Sequence, residues 1–341
     1  MTAHSGAMPL VSVVMSCYNA ERWVSEAIDS VLGQSMPDFE LIVLDDGSTD
    51  NTGRILEERA ARDGRIIVVR KPNTGLGDSL NQGIARARGE WIARLDADDV
   101  CERERLARQL EAARRDGAVV FVGSGLKLID EHGRVFATHR YPTSHRRLVA
   151  HLRHVMKFPP HSSALVRTEA LRRAGGYRTR IRRAQDWDLW LRLSALGRLT
   201  CVDAPLVRIR KHSSQVSHEE GGRRQLTDCR LGLVSDCIRR LGGADPVDAS
   251  EEVYITFRTW LEARLVAVGL YRLEDLGQRA AATGSVLRAG AALLRQPLDG
   301  IRLLWARWTG ERLALRLARE WLYDHSTTKP NWSDQGRRTD Q

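Results

Sequence analysis

The chain has 341 residues, of which 42% are hydrophobic and 28% are charged, a balance that excludes a wholly disordered protein. Lysine and arginine number 53 against 43 aspartates and glutamates, so the formal net charge is +10. This basic surface indicates either a polyanionic partner (a nucleic acid, an anionic membrane face or a phosphorylated substrate) or an arginine-rich composition without a partner.

Simple counts argue against several further classes of protein. No apolar run approaches the roughly 18 residues that cross a bilayer, and residues 1–9 lack a basic and an apolar segment, so we expect neither a membrane span nor a signal peptide. The five cysteines include no C-x-x-C pair, which argues against a disulfide framework and a cysteine-based zinc site. We therefore expect a reducing, cytoplasmic location.

Strand-like and helix-like segments alternate through the first hundred residues. Short apolar runs predict buried strands, and apolar residues at helical spacing predict helices between them. The predicted strands are 10–15, 39–44, 66–69 and 91–95, and the predicted helices lie near 23–32, 48–62 and 77–88. This order predicts an α/β fold with a mainly parallel sheet covered by helices on both faces.

Strand signals weaken in the second half, and helical periodicity dominates from Arg223 onwards. Strands are expected at 119–123 and 163–166, a hairpin over 127–138 and a helix over 186–196. The predicted parts are a flexible start (1–8), an α/β domain (9–218), a helical region (219–325) and a disordered tail (326–341).

Polar clusters follow three of the predicted strands, at Ser16–Asn19, Asp45–Asp50 and Asp96–Asp99. Ligands of parallel α/β sheets bind at the carboxyl ends of the strands, so we expect the clusters to meet. Carboxylates spaced as Asp96 and Asp98 could grip a divalent cation that also holds phosphate oxygens, neutralising charge on a diphosphate leaving group. A solvated acidic turn is the alternative for an isolated D-x-D.

Other polar segments allow two interpretations each. A carboxylate in Asp45–Asp50 could accept a hydrogen bond from the imino N–H of a base, or the segment could simply cap a helix. Asp186 could be a general base toward a hydroxyl, or a helix cap. The run Arg210–His212 could contact a diphosphate, or form a solvated strand end.

Together these segments resemble the family 2 glycosyltransferases, inverting enzymes with the GT-A fold. The match covers residues 9–218 and keeps the order of the family motifs. The matching segments are 11–19, 45–50, 73–75, 81–83, 89–99, 158–161, 175–177, 186–192 and 210–212. The resemblance implies that residues 9–218 form a GT-A catalytic domain, with a nucleotide-binding half (9–100) and an acceptor half (101–218), here with a C-terminal helical extension.

The resemblance also implies roles for individual residues. Asp46 is expected to bind the nucleotide base, Asp98 and His212 to bind Mn²⁺ or Mg²⁺, Asp96 to lie near the ribose and the metal, and Asp186 to be the catalytic base. The residues expected to contact the donor are Tyr18, Asn19, Asp46, Asn73, Gly75, Asp96, Arg210 and His212. Those expected near the acceptor are His161, Gln185 and Trp187.

The chain departs from the family at two positions. Gln185 stands where the family usually has glutamate, so the neighbour of the expected base is neutral, which affects the local pKa and any acceptor contact of that residue. Ile209 stands where the family often has tyrosine, and a tyrosine contact is lost there.

We therefore expect a metal-dependent, inverting transfer of a sugar from a nucleoside diphosphate sugar, UDP-linked, to a hydroxyl of a glycan or lipid-linked acceptor in cell-envelope polysaccharide synthesis. One rival is a nucleotidyltransferase that makes the sugar nucleotide, which would need a glycine-rich triphosphate loop where the chain has Ser16–Asn19. The other is a basic nucleic-acid-binding protein. Its phosphate backbone would have to pass the acidic clusters, so no nucleic-acid partner is expected.

The C-terminal helices carry a basic amphipathic pattern. Trp305, Trp308 and Trp321 lie on an apolar stripe interspersed with arginines, so residues 290–322 could lie on an anionic membrane surface, as a peripheral protein at the inner face of the cell membrane. Alternatively the stripe packs on the catalytic domain or on a second copy of the chain in a homo-oligomer.

Overall fold

A computed structural model describes residues 8–155, 158–212, 221–267 and 311–325. The chain forms two compact units. The first comprises residues 1–152 and 157–221, and the second comprises residues 153–156 and 222–341.

The first unit is an α/β unit with nine strands in one sheet. The strands are β1 (Val11–Cys17), β2 (Phe39–Asp45), β3 (Ile66–Arg70), β4 (Trp91–Arg94), β5 (Val100–Cys101), β6 (Val119–Ile129), β7 (Val135–His139), β8 (Leu165–Arg167) and β9 (Arg198–Arg210). The helices are α1 (Val24–Leu32), α2 (Thr52–Arg62), α3 (Leu76–Arg86), α4 (Arg105–Arg114), α5 (His145–Ala150), α6 (Thr168–Arg173) and α7 (Gln185–Ser194), with a π-helical turn at His151–Val155 and a 3₁₀ turn at His161–Ser163.

The sheet is mixed, in the order β3-β2-β1-β4-β8-β6-β9-β5, with β7 paired to β6. The strands β1 to β4 pair in parallel, whereas β8 is antiparallel to both β4 and β6. Two successive antiparallel pairings restore the direction, so β6 and its parallel partner β9 run the same way as β1. The end of β9 and the start of β8 therefore lie at the same sheet edge as the ends of β1, β2 and β4.

The core of this unit forms where apolar runs meet. All seven residues of β1 and all seven of β2 are buried, as expected for central strands covered on both faces. On α1 the buried positions Val24, Ala27, Ile28 and Val31 follow helical spacing. Each of the larger side chains among them, Val24, Ile28 and Val31, contributes about 1.5–3 kcal/mol when fully buried. At Gly83 of α3, an added Cβ would lie 2.5 Å from the side chain of Val14, so glycine permits the close approach of helix and sheet.

One buried arginine ties the sheet together beneath the ends of the strands. Arg105, on α4, has no exposed surface. Its guanidinium donates to the carbonyl oxygens of Arg94 (2.8 Å) and Ala164 (3.0 Å), which lie at the end of β4 and just before β8. These two segments are antiparallel neighbours, so the hydrogen bonds from Arg105 hold them together.

The second unit contains the described helices α8 (Gly221–Arg240), α9 (Glu251–Ala267) and α10 (Glu311–His325). Trp321 of α10 is buried, and its ring contacts those of Phe257 (4.8 Å between centroids) and Trp260 (5.4 Å). Leu313 and Leu317 are buried on the same face. This part of the predicted amphipathic stripe is thus covered inside the unit.

Several predictions for the C-terminal region lie outside the described residues. They concern Trp305, Trp308, most of the proposed membrane-facing segment and the tail 326–341. Within the helices that are described, none combines the length and the apolar character needed to span a bilayer.

Candidate active site

Three carboxylates meet directly after β4. Asp96, Asp98 and Asp99 each place a carboxylate oxygen within 4.8 Å of those of the other two. The loop that carries them follows a buried strand, so its side chains emerge at the carboxyl edge of the sheet, where ligands of such folds bind.

Each carboxylate has a different partner. Asp96 forms an ion pair with Arg94, and the Nε2 atom of His212 lies 2.9 Å from Asp98 Oδ2. Asp99 Oδ1 accepts a hydrogen bond of 3.0 Å from the backbone N–H of Arg210. The end of β9 therefore contacts residues 96–99, called the acidic loop below, although more than a hundred residues of sequence separate the two segments.

The electrostatics of the cluster favour a bound cation. Burial and the charge of Asp96 raise the pKa of Asp98, and burial together with both neighbouring carboxylates raises the pKa of Asp99 well above its ordinary range. Burial acts against the ionisation of Asp96 too, but Arg94 outweighs it and the pKa of Asp96 is lowered. A divalent cation would relieve this crowding of negative charge.

The donor set fits a Mn²⁺ or Mg²⁺ ion. Carboxylate oxygens suit both Mn²⁺ and Mg²⁺, and a neutral imidazole is a common metal ligand. The His212 ring packs against Trp23, with centroids 4.2 Å apart, so its orientation beside Asp98 is supported from behind.

Arg210 bonds to the chain itself. Its side chain is buried, and the guanidinium donates to the Asp98 carbonyl oxygen (3.0 Å) and to Glu26 Oε2 (2.5 Å). It also reaches the carbonyl oxygens of Asp130 and Glu131. In this structure Arg210 therefore supports the acidic loop, and contact with a diphosphate would require it to give up some of these bonds.

The turn after β2 is tied to the loop after β1. Asn19 adopts the left-handed conformation (φ 49°), accepts a hydrogen bond from the Thr49 N–H (2.8 Å) and donates its own N–H to Ser48 Oγ (3.0 Å). Tyr18, beside it, is 53% exposed at the same edge. Two of the three clusters expected to meet, Ser16–Asn19 and Asp45–Asp50, are therefore in contact.

Asp46 is occupied by the chain itself. It is 4% exposed, forms an ion pair with Lys71, and accepts hydrogen bonds from the N–H groups of Thr74 and Gly75, both at 2.9 Å. Burial opposes its ionisation, but these bonds outweigh burial and lower the pKa of Asp46. Contact of Asp46 with a nucleotide base stays a prediction, and such a contact would have to use the remaining lone pairs of this carboxylate. Asn73, which precedes Thr74, is exposed.

A second group of predicted residues surrounds the start of α7. His161 Nε2 lies 2.6 Å from the Tyr177 hydroxyl, and burial with the nearby charge of Arg94 lowers the pKa of His161 well below its ordinary range. The imidazole is therefore neutral at pH 7. Gln185 is buried, whereas Trp187 is half-buried.

Asp186 is the expected base. Burial raises the pKa of Asp186, and the Trp187 N–H, which donates to its Oδ1 (2.9 Å), and the charge of Arg94 only partly offset this. The charge of Asp96 adds to the increase, which means that Asp186 and the acidic loop are within electrostatic reach. A carboxylate whose pKa is raised in this way is a better proton acceptor.

Sequence reasoning missed four residues that shape the site. They are Glu26, Lys71, Arg94 and Ser162. Arg94 carried a detectable signal, since a charged residue inside the buried strand β4 requires a partner. Ser162 carried only its position next to His161.

A separate cavity of about 810 Å³ lies near the starts of β6 and β9, at the opposite edge of the sheet. Four arginines contribute to its lining, but two of them are already paired, Arg115 with Glu111 (2.6 Å) and Arg198 with Asp116 (2.8 Å). No predicted site residue lines this cavity. Carboxylate geometry, not cavity size, therefore identifies the site.

Comparison with known sequences points in the same direction. Residues 12–175 match the profile of the family described as Glycosyl transferase family 2. The chain is 38% identical over 195 residues to the putative glycosyltransferase EpsE of Bacillus subtilis, covering 55% of this chain and 68% of that protein. It is 29% identical to a chondroitin synthase of Escherichia coli, of which the match covers 27%.

Solved structures share the fold. S. aureus TarS 1–349 in complex with UDP-GlcNAc superposes with a TM-score of 0.56 at 17% identity, covering 92% of this chain and 91% of that chain. The mannosyltransferase PcManGT from Pyrobaculum calidifontis, in complex with GDP-Man and Mn²⁺, gives a TM-score of 0.52 at 20% identity, covering 94% and 89%. At these identities the likeness concerns the fold alone.

Proposed function

Since the chain belongs to glycosyltransferase family 2 and has the GT-A fold, we propose that it transfers a sugar from a nucleoside diphosphate donor to a hydroxyl group with inversion. The observation that carries this proposal is the convergence of Asp96, Asp98 and Asp99 with His212 at the carboxyl edge of the sheet. Family membership sets aside the nucleotidyltransferase and the nucleic-acid-binding protein as functions.

UDP is the nucleotide that we propose. It is supported by the UDP-GlcNAc complex of TarS, although the GDP-Man complex of PcManGT makes GDP the main competitor. Asp98 and His212 would hold Mn²⁺ or Mg²⁺, with the carboxylates of Asp96 and Asp99 completing the group of oxygens around the ion. When bound, such an ion supplies positive charge to the departing diphosphate.

The proposed chemistry then rests on Asp186. Its carboxylate takes the proton of the acceptor hydroxyl, and that oxygen attacks the anomeric carbon from the face opposite the diphosphate. The bond between the anomeric carbon and the diphosphate breaks, and both of its electrons leave with the diphosphate. The configuration at the anomeric carbon inverts. His161, Gln185 and Trp187 line the acceptor side in this proposal, and the neutral His161 would offer a hydrogen bond without adding charge.

The proposed acceptor is a glycan or a lipid-linked glycan of the cell envelope. The name of the chondroitin synthase supports a role in polysaccharide synthesis. A lipid-linked acceptor would bring the chain, from the cytoplasmic side, to an anionic membrane surface. Because Leu313, Leu317 and Trp321 are buried, any membrane contact within 290–322 would have to come from other residues of that segment.

Calorimetric titration with UDP, dTDP, GDP and ADP, each with and without Mn²⁺, tests the donor site. We expect one diphosphate to bind in a Mn²⁺-dependent manner, and Asp98→Ala to abolish this binding. Asp203→Ala, which removes an exposed carboxylate paired with Arg140, is the matched control and should bind as the wild type does. Absence of binding by every diphosphate would contradict the proposal.

A further inference from the structure

Ser162 lies at the centre of the acidic loop without belonging to it. It sits in the 3₁₀ turn His161–Ser163, which precedes β8, and it is 1% exposed. The antiparallel pairing of β8 with β4 places this turn beside the end of β4. A residue 66 positions away from Asp96 in sequence thereby contacts it directly.

The hydroxyl of Ser162 has all its bonding capacity engaged. Its oxygen accepts hydrogen bonds from Arg94 Nη1 (3.0 Å) and from the backbone N–H of Asp96 (3.1 Å). Its single proton faces two carboxylate oxygens, Asp96 Oδ2 at 3.0 Å and Asp99 Oδ2 at 2.5 Å. A hydroxyl group has one proton and two lone pairs, so these four neighbours account for all of them.

Arg94 strengthens this arrangement. The guanidinium is 3% exposed and bonds both Ser162 and Asp96, so one buried cation bridges the turn and the loop. Hydrogen bonds from a charged donor are roughly twice as strong as neutral ones. Asp99, on the other side, is also held by the backbone N–H of Arg210.

We propose that Ser162 is a positioning residue that holds the carboxylates of Asp96 and Asp99 in the arrangement that receives the divalent cation. The two carboxylates repel each other, and the shared hydroxyl lets them stay close in a buried site. This inference rests on the proposed cation site. It adds that the geometry of the carboxylates depends on a serine outside the acidic loop.

The test measures Mn²⁺ binding to the full chain by calorimetry, without donor or acceptor. Groups that orient metal ligands typically change metal affinity by about 10- to 100-fold when removed, and we expect Ser162→Ala to weaken Mn²⁺ binding by that factor. Ser162→Thr, which keeps the hydroxyl, should bind Mn²⁺ more tightly than Ser162→Ala.

Ser163→Ala is the matched control. Ser163 is adjacent, also buried, and donates instead to the Pro160 carbonyl oxygen (2.8 Å), so its removal costs a buried hydrogen bond without touching the acidic loop. Its Mn²⁺ affinity should equal that of the wild type. If Ser162→Ala does not fold, Ser162→Cys, which replaces the hydroxyl by a slightly larger group that donates only weakly, should show the same loss.

The outcomes separate the two proposals. Normal Mn²⁺ affinity in a folded Ser162→Ala or Ser162→Cys variant, or an equal loss in Ser163→Ala, would overturn the positioning role while leaving the cation site intact. A wild-type chain that binds no Mn²⁺ would refute the cation site itself, and the positioning role with it.

Discussion

The turn after β2 and the start of α7 both present a carboxylate of the candidate site, but in opposite surroundings. Asp46, in the turn, has an ion pair with Lys71 and two backbone N–H donors. Asp186, on the helix, has among the described residues one hydrogen bond, from the adjacent Trp187 N–H. The donors around Asp46 lower the pKa of its carboxyl, whereas burial raises the pKa of Asp186.

This difference is the one expected between a carboxylate that stays ionised and the proposed catalytic base. A carboxylate surrounded by donors stays ionised and holds a loop in place, as Asp46 holds Thr74 and Gly75. Burial disfavours the ionised form of a carboxylate, so taking up a proton lowers its free energy. Proton uptake is what a general base does. Both residues occur in acidic motifs at predicted strand or helix ends, so only their partners distinguish them.

The largest effect is expected from Asp186→Asn. A positioned general base contributes about 10²- to 10⁴-fold to a rate, so release of the nucleoside diphosphate from the donor sugar should fall by that factor. Donor binding in the presence of Mn²⁺, followed by calorimetry, should stay within about twofold, because Asp186 is not a proposed donor ligand. Turnover close to that of the wild type would mean that another group is the base.

Lys71→Met should destabilise the fold by leaving Asp46 buried without its cation. Side chains of both partners are less than a tenth exposed, and breaking such a pair typically costs about 3–5 kcal/mol. Urea unfolding of the full chain measures this. Lys127→Met is the control: its pair with Glu102 is about a third exposed and should contribute less than about 1 kcal/mol. Equal losses in the two variants would remove the distinction.

The pH dependence of turnover should follow Asp186. Below its raised pKa the carboxyl is protonated and inactive, so kcat/KM should rise with pH, with a midpoint above the ordinary value of 3.8. Mn²⁺ must be saturating at every pH, so that protonation of the acidic loop does not mimic the effect. A midpoint at or below the ordinary value would show that burial does not disfavour the ionised form.

Much of the fold could be predicted because strands such as β1 and β2 are uninterrupted apolar runs that end in polar clusters. The strand β9 was missed because Arg198–Arg210 mixes charged residues, a proline and half-buried positions, without the alternation of a strand with one polar face. The buried Arg105 was equally unreadable, since an arginine in an amphipathic helix is ordinarily exposed.

The meeting of carboxylates could be predicted where they belong to one short motif, as Asp96 and Asp98 do, and their role at a cation stays a prediction. The parts of the site that depend on contacts between residues distant in sequence could not be predicted. Ser162 reaches Asp96 only because β8 pairs antiparallel with β4, and Lys71 reaches Asp46 only because the strands β2 and β3 are adjacent. Such pairings are long-range facts of topology that local sequence patterns do not encode.

The most direct test of the contrast between the two carboxylates is differential scanning calorimetry of Asp46→Asn and Asp186→Asn at pH 7. A carboxyl with a lowered folded-state pKa contributes stability above its unfolded pKa that is lost as the pH falls, so Asp46→Asn should melt at a lower temperature than the wild type, and the gap should shrink in acid. A carboxyl with a raised pKa has the opposite sign, so Asp186→Asn should melt at the wild-type temperature or above it. A fall in Asp186→Asn as large as that in Asp46→Asn would contradict this account.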